Sequence, residues 1–169
     1  MKTDYKFLIT DVKDFPIKGV SFKDISPLLA STLFKNVVHE MGDLVLKPDY
    51  WVGVESRGFI FASALAIEFG GGVVLCRKPG KLPGKIVTKS YDTEYSSDQL
   101  SLQMGTGSVV IVDDVLATGG TLAAVNKLCS PAGYNVQDHL VLIDLKYVPR
   151  SNFYLDTKVK TVKSLISYE

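Results

Sequence analysis

Val109–Thr121 is VVIVDDVLATGGT, and its reading decides the fold. Val109 to Val112 form an apolar run suited to a buried strand, which delivers Asp113 and Asp114 to its carboxyl end. Ala117-Thr118-Gly119-Gly120-Thr121 then turns into a helix. Small residues let backbone amides approach an anion closely, and a helix N-terminus adds a favourable dipole. Thr118 and Thr121 add hydroxyl donors. Such a loop suits a terminal phosphate monoester, and paired carboxylates suit vicinal ribose hydroxyls. The same residues also fit an ordinary strand-to-helix turn with a capping threonine and two solvated acids. The loop is not a Walker loop, because no GKT or GKS follows the glycines, and its spacing is not that of GxGxxG.

Working outward, Ser26-Pro27 marks a helix start, with Leu29, Leu33, Val37, Met41 and Leu44 at helical spacing up to Pro48. Tyr50–Glu55 is a short apolar strand. Gly58 opens FIFASALAIEF, a helix apolar almost all round and so expected between layers, ending at Gly70–Gly72. Val73–Arg77 is the next strand, followed by the basic turn RKPGKLPGK. From Ile86 to Gln103, Leu100, Leu102 and Met104 alternate with polar residues around the tip YDTEYSSD, which predicts a long, exposed hairpin. Ser108–Asp113 is a strand, a helix runs from about Gly119 to Leu128, Leu140–Leu145 is another strand and Val159–Ile166 a last one. Alternating strands and helices predict an α/β fold with a mostly parallel sheet and helices on both faces. The first twenty-five or so residues do not fit that rhythm and predict a cover over one edge of the site.

The 169 residues fit a single domain, and 46% hydrophobic content suffices for a substantial core. A formal net charge of +1 gives no case for nucleic acid or membrane partners, so an anionic ligand must be held by local clusters. Cys76 and Cys129 lie in apolar stretches and read as buried thiols of a reducing compartment. No signal-like apolar run opens the chain and no stretch approaches a membrane span, which predicts a cytoplasmic protein.

The thirteen-residue stretch resembles the signature of the type I phosphoribosyltransferases. Further segments resemble the adenine-using branch of that family, in its order: DFPIKGVSFKDISPLL, VGVESRGFIF, RKPGKLPGK, SYDTEY, the signature and a final SYE. The resemblance implies that fold over residues 1–169, with a hood over about 1–25 and a flexible loop over about 80–106. It implies transfer of a phosphoribosyl group from phosphoribosyl pyrophosphate to adenine in purine salvage. By resemblance, Asp113 and Asp114 hold the ribose, and Ala117, Thr118, Gly119, Gly120 and Thr121 hold the 5′-phosphate. Ser21, Phe22 and Lys23, with Arg57, form the adenine site, where Phe22 stacks and neighbouring backbone groups read the base. Ser21 and Lys23 depart from the valine and arginine of the commoner pattern. Glu55, Ser56, Arg57, Arg77, Lys78 and Lys81 contact the pyrophosphate, and Glu94 on the closing hairpin acts near the purine imidazole. The resemblance also implies Mg²⁺ held mainly by the donor's own oxygens, with no direct protein ligand, and a homodimer.

Each segment keeps a plainer reading. Phe22 suits a core anchor, Glu55 with Arg57 a surface ion pair, Arg77, Lys78 and Lys81 a cationic turn, and Glu94 a solvated loop acid. His39, in a helix, and His139, just before a strand, read as surface or boundary residues. Rival functions are a 6-oxopurine enzyme, a non-catalytic sensor of the same donor, and a flavodoxin-like binding domain.

Overall fold

A computed structural model describes residues 3–92, 97–155, 159 and 161–169. A 3-10 turn, Tyr5–Leu8, leads into an antiparallel hairpin of β1 (Thr10–Lys13) and β2 (Ser21–Asp24). Helices α1 (Ser26–Leu29) and α2 (Phe34–Gly42) follow, then β3 (Tyr50–Val54), α3 (Gly58–Phe69) and β4 (Gly72–Arg77). A hairpin of β5 (Ile86–Asp92) and β6 (Ser97–Gln103) precedes β7 (Gly107–Leu116), α4 (Gly120–Ala132) and β8 (Tyr134–Leu145). The chain closes with α5 (Asn152–Leu155) and β9 (Lys163–Tyr168).

The main sheet has the order β5-β6-β4-β3-β7-β8-β9; β4, β3, β7, β8 and β9 run parallel, and the β5–β6 hairpin is antiparallel. From β3 the chain crosses through α3 to β4 on one side; from β7 it crosses through α4 to β8 on the other. The order therefore reverses between β3 and β7, where open α/β sheets leave a crevice at their strand carboxyl ends. Two apolar clusters cover the two faces. Phe61, Ala62 and Leu65 of α3 pack with Trp51, Val110 and Val112. Leu122, Val125 and Leu128 of α4 pack with Val52, Val54 and Ile111 on the other face. The alternation of Val109 to Val112 between the clusters explains why that run is apolar throughout.

Several expectations are corrected. The helix expected from Ser26 to Pro48 is two helices: Ser31 Oγ accepts from the Leu33 amide and opens a turn between them. Ser26 is capped rather than capping, since Asp24 Oδ1 accepts from both its amide (2.9 Å) and its hydroxyl (2.6 Å). Helix α3 is buried on one face only, leaving Ile60 and Ile67 exposed. The hairpin is exposed only in part, because Tyr91, Leu100 and Leu102 pack into the cluster around α4. The last strand begins at Lys163, later than expected.

Candidate active site

Strand β7 carries Asp113 and Asp114 past the register in which Gly53 of β3 pairs with Val112. Asp114 is buried and Asp113 half-buried. Asp113 Oδ1 accepts from the Asp114 amide at 2.9 Å. Burial, and then the charge of Asp114, raise the Asp113 carboxyl well above the usual carboxylate range. Asp114 Oδ2 lies 2.8 Å from Arg57 Nε, but this buried oxygen accepts no hydrogen bond among the described residues. The pair therefore presents unmet capacity to hydroxyl donors or a cation.

Helix α4 starts at Gly120, and Gly119 before it has φ +82°, a left-handed conformation costly for other residues. The N-cap, Gly119, has no side chain to bond the first amides, which suits them to an anion. Thr118 and Thr121 flank them, half-buried, and Thr121 hydrogen-bonds the Tyr91 hydroxyl of the hairpin. The loop is braced from behind by residues absent from the sequence reading. Arg150 Nη1 donates to Ala117 O, its Nη2 pairs with Asp144, and the Ser151 amide donates to Thr118 O at 2.9 Å. The Tyr154 ring lies against Gly119 so closely that any Cβ there would overlap it. An arginine six residues beyond a strand-end acid was the available signal, and it is a faint one.

The VESRG turn falls at the carboxyl end of β3. Gly58 starts α3 pressed against β7, where a Cβ would lie 2.6 Å from Val112 O. Glu55 and Arg57 are not partners. Glu55 accepts from the Lys78 amide (2.8 Å), Lys81 Nζ (3.0 Å) and Arg77 Nη2 (3.4 Å). The Lys78 amide, followed by the Lys81 and Arg77 side chains, holds its carboxyl down at about 2 against the cost of burial. This carboxylate gathers the basic turn beside the crevice. Arg77 Nε is buried and makes no hydrogen bond among the described residues. Ser56 is exposed at the tip of the turn.

Arg57 leans the other way, towards the hood, where its guanidinium carbon lies 4.7 Å from the Phe22 ring centroid. Phe22 packs edge-on to Phe15, with centroids 5.1 Å apart. Both aromatics and Arg57 line a cleft of about 380 Å³, together with Val12, Asp24 and Leu29. Strand alternation sends Ser21 and Lys23 to the opposite side, where both side chains bond Asp11. Neither lines the cleft; Lys23 meets the site through its carbonyl, 3.5 Å from Arg57 Nη1. Glu94 lies outside the described residues.

Among the described residues, no three His, Cys, Asp or Glu side chains converge at metal-ligand spacing. His39 is exposed on α2, as expected. His139 is not a boundary residue: it lies within β8, 6% exposed, with Nε2 3.0 Å from Asn126 Oδ1. Burial lowers its pKa to about 4.

A glycine turn at a helix start, an acid pair and a basic turn gather around one switch point beside an apolar cleft, and together they carry the groups that could hold a phosphorylated sugar. Residues 29–162 match the phosphoribosyl transferase domain family. An adenine phosphoribosyltransferase of Hydrogenovibrio crunogenus is 45% identical over 94% of this chain and 92% of its own length. The structure of adenine phosphoribosyltransferase from Thermoanaerobacter pseudethanolicus superposes with a TM-score of 0.87 at 35% identity, covering 96% of this chain and 97% of that one. The Giardia lamblia APRTase complexed with 9-deazaadenine gives 0.83 at 33% identity, covering 98% and 97%. The chain belongs to the phosphoribosyltransferases and, within them, to the adenine phosphoribosyltransferase family.

Proposed function

We propose that this chain transfers the 5-phosphoribosyl group from phosphoribosyl pyrophosphate to adenine, giving AMP and pyrophosphate in purine salvage. One observation carries the reading: Arg57 joins the two halves of the site, ion-paired to Asp114 and stacked on Phe22. A sugar held at the acid pair is thus adjacent to a base held at the cleft.

In this reading the amides of Ala117 to Thr121 and the hydroxyls of Thr118 and Thr121 hold the 5′-phosphate. Asp113 and Asp114 accept from the ribose hydroxyls; those donors offset the burial, and after it the Asp114 charge, that raise the Asp113 carboxyl. Ser56 and Arg57, with Arg77, Lys78 and Lys81, face the pyrophosphate, while Glu55 organises that turn. Adenine lies against Phe22, and the backbone of Ser21 and Lys23 reads its 6-amino edge; an amide N–H and C=O together distinguish amino from oxo purines. The sugar–pyrophosphate C–O bond breaks, the base nitrogen bonds the same carbon, and the base's imidazole proton is released. Glu94 takes that proton as the hairpin closes and excludes water. Asp114 Oδ2, which accepts no hydrogen bond among the described residues, would give a Mg²⁺ carried in on the donor's oxygens at most one carboxylate contact, taken in exchange for its Arg57 ion pair. Such an ion would supply neutralisation of charge on the leaving pyrophosphate.

We read residues 1–169 as one such domain acting as a homodimer in the cytoplasm, without nucleic acid or membrane partners. The dimer is supported by the bare apolar side chains Ile60, Ile67, Val73 and Leu75 on α3 and β4. The cytoplasm is supported by two free, buried cysteines; among the described residues no helix is long and apolar enough to cross a membrane.

A turnover assay offering adenine, hypoxanthine, guanine and xanthine tests the reaction. Adenine should be used fastest, and faster use of a 6-oxopurine would overturn the base assignment. Full activity in Glu94→Ala would remove that residue from the mechanism.

A further inference from the structure

Two side chains on the same side of β2, Ser21 and Lys23, converge on one acid. Asp11 stands directly opposite Lys23 in the β1–β2 register. Its Oδ2 accepts from Lys23 Nζ at 2.6 Å, and its Oδ1 accepts from the Ser21 hydroxyl. Lys23 is 6% exposed, unusual for a lysine, and its Nζ lies 4.2 Å from the centre of the Tyr168 ring. Tyr168 belongs to β9, the outer strand of the main sheet, and Lys6 approaches the same ring at 5.1 Å. The final SYE motif thus supplies an aromatic face on which the hood is seated.

We propose that Lys23 is a positioning residue for the acceptor base: it holds β1 through Asp11 and clamps the hood to β9 through Tyr168. The argument is one of strand geometry. Adjacent residues of β2 point to opposite sides, so fixing the Lys23 side chain beneath the hairpin fixes the Phe22 ring above it. The same anchor fixes the Lys23 carbonyl, which meets Arg57 Nη1. A two-stranded hairpin has little stability of its own, and β1–β2 forms a sheet separate from the main one. The flanks of the hairpin are rooted in the core through Tyr5 and Ile25, but the Phe22 ring itself is met by the Phe15 ring and the Arg57 guanidinium, and the clamp fixes its backbone from below. The phosphate loop and acid pair sit on β7 and α4 and do not depend on it.

The proposal rests on the base cleft assigned above, and steady-state kinetics with both substrates separates the two. Lys23→Met keeps the stem and removes the charge; it should raise the KM for adenine about tenfold. The KM for phosphoribosyl pyrophosphate should stay within about twofold, a split that general destabilisation does not produce. Lys23→Arg should restore adenine binding. Tyr168→Leu should match Lys23→Met, and Tyr168→Phe, which keeps the ring, should match the parent. Should Lys23→Met not fold, the Tyr168 pair decides alone. Equal changes in both KM values, or none, would overturn the clamp while Phe22→Leu still weakens adenine. An unchanged adenine KM in Phe22→Leu would instead overturn the base cleft itself.

Discussion

Arg57 Nε lies 2.8 Å from Asp114 Oδ2, while the same guanidinium covers the Phe22 ring. One side chain therefore couples the sugar end of the site to the base end. Lysine cannot reproduce a planar group that pairs and stacks at once. Arg57→Lys should raise the KM for both substrates, each by about tenfold (~1.4 kcal/mol). Steady-state kinetics checks this, and a change confined to one substrate would show that the coupling is absent.

The brace behind the phosphate loop makes a contrasting prediction. Arg150→Met leaves the Asp144 carboxylate, 14% exposed, without its cation and frees the Ala117 carbonyl. The cost should be about 1–3 kcal/mol in thermal or denaturant unfolding. The KM for phosphoribosyl pyrophosphate should rise on the order of tenfold while that for adenine holds. Arg150→Lys should recover little, since an ammonium lacks the fork that reaches both partners.

Acid sensitivity should come in two windows. His139 has its pKa lowered to about 4 by burial, so the unfolded chain binds a proton that the folded chain refuses. Stability is therefore lost as pH falls from about 6.5 towards 4, by up to about 1.4 kcal/mol per pH unit. Glu55, held at about 2 and ordinarily near 4.5, acts lower: its contribution is complete above 4.5 and is lost as pH falls towards 2. Unfolding free energies measured against pH should show the upper slope reduced in His139→Gln and the lower slope reduced in Glu55→Gln.

The bare face of α3 predicts association. Ile67 is 87% exposed, and a charge there should not disturb the fold. Ile67→Glu should halve the mass seen by light scattering and lower activity. An unchanged mass would place any dimer contact elsewhere.

Much of this was legible because it is local. The strand, acid pair and glycine turn of Val109–Thr121 follow one another in the chain, so one stretch of sequence specifies strand, carboxylates and helix start together. The Arg150 brace is different: it joins positions 33 residues apart, and nothing near Ala117 announces it. Glu55 and Arg57 look like a pair because they are neighbours, yet each has a better partner elsewhere: Lys81, beyond β4, for Glu55, and Asp114, across the crevice on β7, for Arg57. The burial of His139 depends on where β8 begins, and β8 starts at Tyr134, well before the apolar run that marks it. The helix break after α1 turns on a single serine hydroxyl bonding a nearby amide, too slight to override an otherwise continuous apolar spacing.

The reversal of strand order between β3 and β7 has a consequence for how the molecule responds to its donor. Helix α3 begins at one lip of the crevice and is rooted in one core cluster; α4 begins at the other lip and is rooted in the other. A ligand spanning both lips ties together halves that share the sheet and the Arg57–Asp114 ion pair. Occupancy should therefore slow amide hydrogen exchange in both helices at once, making the two layers open as a single unit where each opened alone.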